Sequence, residues 1–182
     1  GIRLMAYSTI PKGSLYMNNV LYTGNATARN ITTPFQPDFT WIKPRSFSEN
    51  HVLFDAVRGA TKRIISNTTD AEATNTTMLT AFNSTSFSIG TNNNVNKNSD
   101  TFVAWNWKAN GAGSANTAGS INSTVSVNAT SGFSVITYTG SGANATVGHG
   151  LGVTPKVILV KCRSATGNWK MHHTSLAPIT SL

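Results

Sequence analysis

The 182-residue sequence has a single cysteine, Cys162, six acidic residues, and no apolar run near the roughly 20 residues that a bilayer-spanning helix needs. One cysteine excludes an intrachain disulfide, so packing and hydrogen bonds must hold the fold. The acids Asp38, Glu49, Asp55, Asp70, Glu72 and Asp100 are few and dispersed, and none are nominated as the carboxylate pair a glycosidase uses. Only 11% of residues are charged, and the net charge of +8 comes from this shortage of acids rather than from abundant bases. The 14 lysines and arginines are scattered, with Lys62-Arg63 the one adjacent pair. Nucleic-acid surfaces cluster their bases among aromatics, so nucleic acid is not an expected partner, and neither is membrane insertion. Anionic surface glycans or lipopolysaccharide are compatible with the charge.

Helical signal is scarce as well. The best helix candidate, His51 to Arg58, is short and ends at Gly59, and its Leu53 and Phe54 fit a strand equally well. With 39% hydrophobic and 9% aromatic residues and no long low-complexity block, the chain is nevertheless a folding sequence.

What the sequence has instead is a repeated phrase. Tyr22-Thr23-Gly24 leads through a polar stretch to Pro37-Asp38-Phe39-Thr40-Trp41-Ile42-Lys43-Pro44-Arg45-Ser46. Tyr138-Thr139-Gly140 leads in the same way to Pro155-Lys156-Val157-Ile158-Leu159-Val160-Lys161-Cys162-Arg163-Ser164. Tyr138 follows Tyr22 by 116 residues and Pro155 follows Pro37 by 118. Both copies read turn, polar loop, proline, apolar run, Lys-x-Arg-Ser, which is a duplicated β-unit. Cys162 stands where the first copy has Pro44, and is read as a small half-buried strand residue rather than a nucleophile.

Strand patterns recur at Phe39–Lys43, Arg63–Ser66, Met78–Phe82, Ser86–Ile89, Phe102–Lys108, Ser120–Val127 and Phe133–Tyr138. Asn83-Ser84-Thr85 reads as a hairpin turn between two of them. Alternation places Val103, Trp105 and Trp107 on one face, read as sheet core in preference to a sugar-stacking platform. The expected fold is all-β, with tandem jelly-roll-like β-sandwich modules. Its parts are an N-terminal adaptor segment (1–13), module one (14–108), a Gly/Ser/Asn-rich linker (109–119), and a partial module two (120–182), which stops at the equivalent of Ile64.

Chemical constellations are weak. His149, His172 and His173 do not make a convincing metal set, because neighbours on a strand face opposite ways. His51 lies beside Glu49 and near Asp55 in a chain full of serines, but no nucleophile elbow accompanies it. Gly148-His149-Gly150-Leu151-Gly152 precedes a strand rather than a helix and reads as a turn, not a phosphate loop. Asn92 to Asn96 reads as a loop in preference to a weak calcium site. Eight Asn-x-Ser/Thr sequons, at Asn25, Asn30, Asn67, Asn75, Asn83, Asn122, Asn128 and Asn144, are discounted in so Asn- and Thr-rich a chain. No catalytic, metal or cofactor-binding residue is assigned, no cofactor is expected, and ligand-binding residues are left open.

Five segments recur in a familiar order: Val20–Gly24, Phe35–Lys43, Leu53–Lys62, Phe102–Ala109 and Val147–Lys156. In order and spacing they resemble a tail-fibre and appendage protein family of tailed bacteriophages, especially marine ones, whose central domain has no assigned activity. The resemblance implies a non-enzymatic virion structural protein at the particle exterior. It would be a homo-oligomer, expected to be a trimer, contacting other virion proteins and a host surface glycan or lipopolysaccharide. A capsid decoration or head-fibre protein, a polysaccharide depolymerase and a bacterial surface adhesin are the alternative readings.

Overall fold

In the computed structural model, which describes residue 10 and residues 12–176, the described residues form an all-β fold of fourteen strands, one α-helical turn and one 3₁₀ turn. The strands are β1 (Met17–Thr23), β2 (Arg29–Thr32), β3 (Phe39–Pro44), β4 (Val52–Asp55), β5 (Lys62–Ile65), β6 (Ala73–Thr74), β7 (Leu79–Asn83), β8 (Ser86–Ile89), β9 (Thr101–Trp107), β10 (Ser114–Asn116), β11 (Ser123–Asn128), β12 (Phe133–Tyr138), β13 (Val157–Val160) and β14 (Lys170–His173). The helical turn α1 (Asn93–Asn96) precedes β9. Every named strand pair is antiparallel.

A six-stranded sheet in the order β1-β9-β3-β4-β5-β6 and a three-stranded sheet β2-β8-β7 enclose the main core. Ile42, Val52, Phe54, Ile65, Phe102 and Ala104 come from the larger sheet, and Ile31, Leu79, Phe87 and Ile89 from the smaller. At about 25 cal/mol per Å² of apolar area buried, such side chains supply most of the driving force. Within His51–Arg58 there is no helix: Val52–Asp55 form β4, with all four residues buried, and Ala56–Arg58 turn out of it. A strand enclosed on both faces reads as a continuous apolar run, which hides its period.

Two buried amides knit the layers. Asn96 donates to the carbonyls of Thr27 and Gly90, both at 2.8 Å, and accepts from Asn25 N–H at 3.0 Å. Asn106 accepts from Thr40 Oγ1 at 3.0 Å and donates to the carbonyls of Asn18 (3.3 Å) and Ala104 (3.2 Å). Buried without these partners, each amide would cost a few kcal/mol.

Residues 109–119, expected as a linker, instead contribute β10 to a second three-stranded sheet, β10-β11-β12. Their start is tied both to the residue before β3 and to β11. The Ala109 N–H donates to Asp38 Oδ2 at 2.7 Å, and the Asn110 N–H to Ser126 Oγ at 2.8 Å. A glycine-rich composition here marks tight turning rather than a free tether, as Gly113 shows with φ at 76° and the Val125 carbonyl close to where a Cβ would lie. The expected adaptor segment falls largely outside the described residues; at its end, Gly13–Leu15 form a single 3₁₀ turn.

β13 and β14 form a separate two-stranded hairpin, fastened by its long loop to the end of β5 and the segment after it. Trp169 Nε1 donates to the Ile65 carbonyl at 3.0 Å, and Lys161 Nζ to that of Thr69 at 3.0 Å. Both repeated phrases are therefore strands, but their surroundings differ. Phe39 is half-buried in a central strand, whereas Val157 is 49% exposed, because β13 has a neighbour on one edge only.

Candidate functional site

β3 and β9 run side by side in the large sheet, with Trp41 opposite Trp105 and Phe39 opposite Trp107. Along β9 the buried positions are Phe102, Ala104 and Asn106, each 0% exposed. Val103, Trp105 and Trp107 share one face, as alternation requires, but it is the half-exposed face and not the core. The core assignment of Trp105 and Trp107 is thus corrected. A period of two fixes which residues travel together, not which side is dry. Asn106 made the inner set look polar, although its amide is satisfied. The sequence did hold a signal in Lys43, which alternates with Trp41 and Phe39 and sits opposite Val103. A lysine on that row marks it as facing water.

The outward rings form a continuous surface. Trp41 and Trp105 meet edge to face at 6.0 Å between centroids, Phe39 and Trp107 at 5.4 Å, and Trp41 and His51 at 5.8 Å. Phe133, the first residue of β12, stacks on Trp107 at 5.9 Å with 20° between planes. Trp41, His51, Trp105 and Trp107 line an open depression of about 300 Å³. Edge-to-face pairs add about 0.5–1.5 kcal/mol each beyond area burial and hold neighbouring rings at fixed tilt.

His51, immediately before β4, fixes the Trp41 indole. Trp41 Nε1 donates to His51 Nδ1 at 3.0 Å, which requires a neutral imidazole carrying its proton on Nε2. Burial lowers the His51 pKa, and the charge of Lys43 lowers it further. The sequence grouped His51 with Glu49 and Asp55; the fold joins it to an indole instead.

Over residues 12–182 the chain matches the family described as Domain of unknown function (DUF7483). The chain belongs to that family. Comparison with curated proteins gives no match, and comparison with solved structures gives none.

The acids, dispersed in sequence, are partly gathered by the fold. Arg58, its side chain 5% exposed, bonds Asp55 Oδ2 and, at 3.1 Å, Glu72 Oε2. Arg163 forks onto the two oxygens of Glu72 at 2.8 and 3.0 Å. Burial pushes the Glu72 pKa up, but hydrogen bonds from Arg163 and Arg58 outweigh it and hold the carboxyl below its usual range. Both acids are thus committed to guanidinium groups, and the cluster bolts the β13–β14 loop to the β4–β6 edge of the large sheet.

The remaining candidates sit apart. His149 Nδ1 accepts from Leu151 N–H at 3.1 Å, and His173 Nδ1 from Ser175 N–H at 3.1 Å, each closing a turn. His172 stands opposite Ile158. Among the described residues no three His, Cys, Asp or Glu side chains gather as metal ligands. Asn92 to Asn96 is not a loop: Asn92 caps α1 by accepting from Asn94 N–H at 3.0 Å, and Asn96 is buried. Cys162 is exposed rather than half-buried, because it lies just past the end of β13.

Proposed function

We propose that this DUF7483 chain is a non-catalytic virion module, a tail-fibre or appendage subunit of a tailed phage, and that the β3–β9 aromatic face is its contact surface for a host-surface glycan. The subunit acts in a homotrimeric assembly of tandem β-sandwich modules, where several weak glycan contacts add to firm adsorption.

The observation that carries the binding reading is the depression lined by Trp41, His51, Trp105 and Trp107 on the outer side of a sheet whose inner side is already closed by Ile42, Phe102 and Ala104. Large indoles left at a surface, held at fixed tilt by neighbouring rings and by His51, are apolar area ready to be covered. The apolar face of a sugar ring suits such walls, and the few acids nearby leave anionic glycans unopposed. The ordered motifs from Val20 onward, which resemble the phage appendage family, support the setting.

Titration of the whole chain with purified host lipopolysaccharide or capsular oligosaccharides, followed by indole fluorescence and calorimetry, tests the reading. Quenching that saturates, and is lost in Trp41→Ala and Trp105→Ala, is expected. Variants that bind as the parent does would remove the aromatic face from the proposal, and release of defined oligosaccharide products would favour the depolymerase.

A further inference from the structure

Strand registers lay out the outer face of the large sheet row by row. Asn19 of β1 stands opposite Trp105 of β9, Trp105 opposite Trp41 of β3, and Trp41 opposite Leu53 of β4. Towards β4 the row is closed, with Leu53 only 4% exposed. Towards β1 the face is open, and Leu21, opposite Val103, is 63% exposed. In the adjoining row Val103 stands opposite Lys43, and His51 lies one step beyond the last β3–β4 pair, beside Lys43. The Lys43 charge is near enough to bear on the imidazole. Of the three ammonium protons of Lys43, one goes to the Pro44 carbonyl at 2.8 Å.

The side chains that line the depression, Trp41, His51, Trp105 and Trp107, offer donors and no free acceptor. An indole nitrogen donates and never accepts. The Trp41 N–H goes to His51 Nδ1, which occupies the lining's one acceptor and leaves His51 Nε2 as a further N–H. That N–H and the indole N–H groups of Trp105 and Trp107 have no hydrogen-bond partner among the described residues. Sugar hydroxyls both donate and accept, so a site for a neutral sugar needs acceptors too. The nearby carboxylates do not supply them. Asp38, 3% exposed, accepts from Gln36 Nε2 at 2.8 Å and Ala109 N–H at 2.7 Å, and Asp55 is held by Arg58. Neither of these acids, nor Glu49, nor the amide of Asn19 lines the depression.

Resting on the reading of this face as a glycan contact, we infer that its ligand is an acidic sugar. The occupant is a hexuronate residue whose ring lies against the indoles and whose carboxylate meets Lys43 and the free N–H groups. A carboxylate accepts only, which complements a lining that only donates. The electron-rich faces of the indoles repel an anion but suit the C–H face of a pyranose ring. The charge is therefore kept off the ring faces and drawn to the Lys43–His51 end. Lys43 follows Trp41 by two positions, about 7 Å along the strand, so one sugar residue reaches both.

Matched ligands test the assignment. The whole chain is titrated calorimetrically with tetramers of galacturonate and of mannuronate, and with the same tetramers after reduction of their carboxyl groups to alcohols. At least one acidic tetramer is expected to bind about tenfold or more tightly than its reduced form, as a charge-assisted contact gives. Raising NaCl from about 0.05 to about 0.5 M should shrink that preference. Lys43→Gln, with its melting temperature measured alongside, should cut it to about threefold or less, because the remaining donors are uncharged. Equal affinity for acidic and reduced tetramers, or a preference that both salt and Lys43→Gln leave intact, would overturn the acidic assignment while the glycan reading stands. So would host polysaccharide that binds when neither acidic tetramer does. Displacement of the tetramer by inorganic phosphate at equal concentration would make this a plain anion site and also overturn the inference. Failure of host polysaccharide to bind at all would instead remove the glycan reading, and the inference with it.

Discussion

Trp41 and His51, ten residues apart, are bound indole N–H to imidazole nitrogen at 3.0 Å, and the bond exists only while the histidine is neutral. This makes the aromatic face sensitive to acid. The His51 pKa is lowered in the folded chain by burial and by Lys43. A group with a lowered folded pKa contributes stability above its unfolded pKa, about 6.5 for histidine. That contribution is lost as pH falls through the folded value.

We expect acidification below the ordinary histidine value of about 6.5 to change the indole fluorescence and to lower the melting temperature in the same window. His51→Gln, which keeps an acceptor but does not titrate, should lack that transition. An unchanged fluorescence titration in the variant would assign it to another group.

Trp105→Ala and Phe102→Ala should separate the two faces of β9. Phe102 is wholly buried, and its truncation should cost about 3–5 kcal/mol in urea unfolding. Trp105 is half-exposed, so its loss should cost only about 1–2 kcal/mol, near the ordinary range for point changes. If Trp105→Ala unfolds the chain as severely as Phe102→Ala, the outer face is structural.

Gly24→Ala and Gly140→Ala place the same change at the two copies of one motif. The Lys97 carbonyl beside Gly24 cannot move without shifting the segment before β9, so a cost of about 1–3 kcal/mol is expected there. Gly140→Ala should leave the melting temperature of the free chain unchanged. Equal effects would mean that the Lys97 carbonyl is not what constrains Gly24.

Asp55→Asn removes a carboxylate from Arg58, a guanidinium with almost no access to water. Breaking one partner of a buried charge pair costs about 3–5 kcal/mol, and calorimetric melting should register it. The partner acid Glu72 has a lowered folded pKa, so its contribution is present above its unfolded value near about 4.3 and is lost as pH falls through the folded one. A Glu72→Gln chain should therefore lose less stability than the parent between neutral pH and about pH 3.

The sequence alone determined the all-β character, most strand positions, and the duplication. Each rests on local information: alternation, turn residues, and a phrase repeated at constant spacing. Phe39–Lys43, Ser86–Ile89 and Phe133–Tyr138 were legible for that reason. Tertiary structure decided which side of β9 meets water, because Trp105 and Phe102 alternate with equal regularity and only the covering sheet β2-β8-β7 makes one side dry. It also turned part of a glycine-rich stretch into β10, and it brought His51 to Trp41 and Glu72 to Arg58 and Arg163. Those contacts depend on which strands become neighbours, and a pattern of period two carries no record of its neighbours.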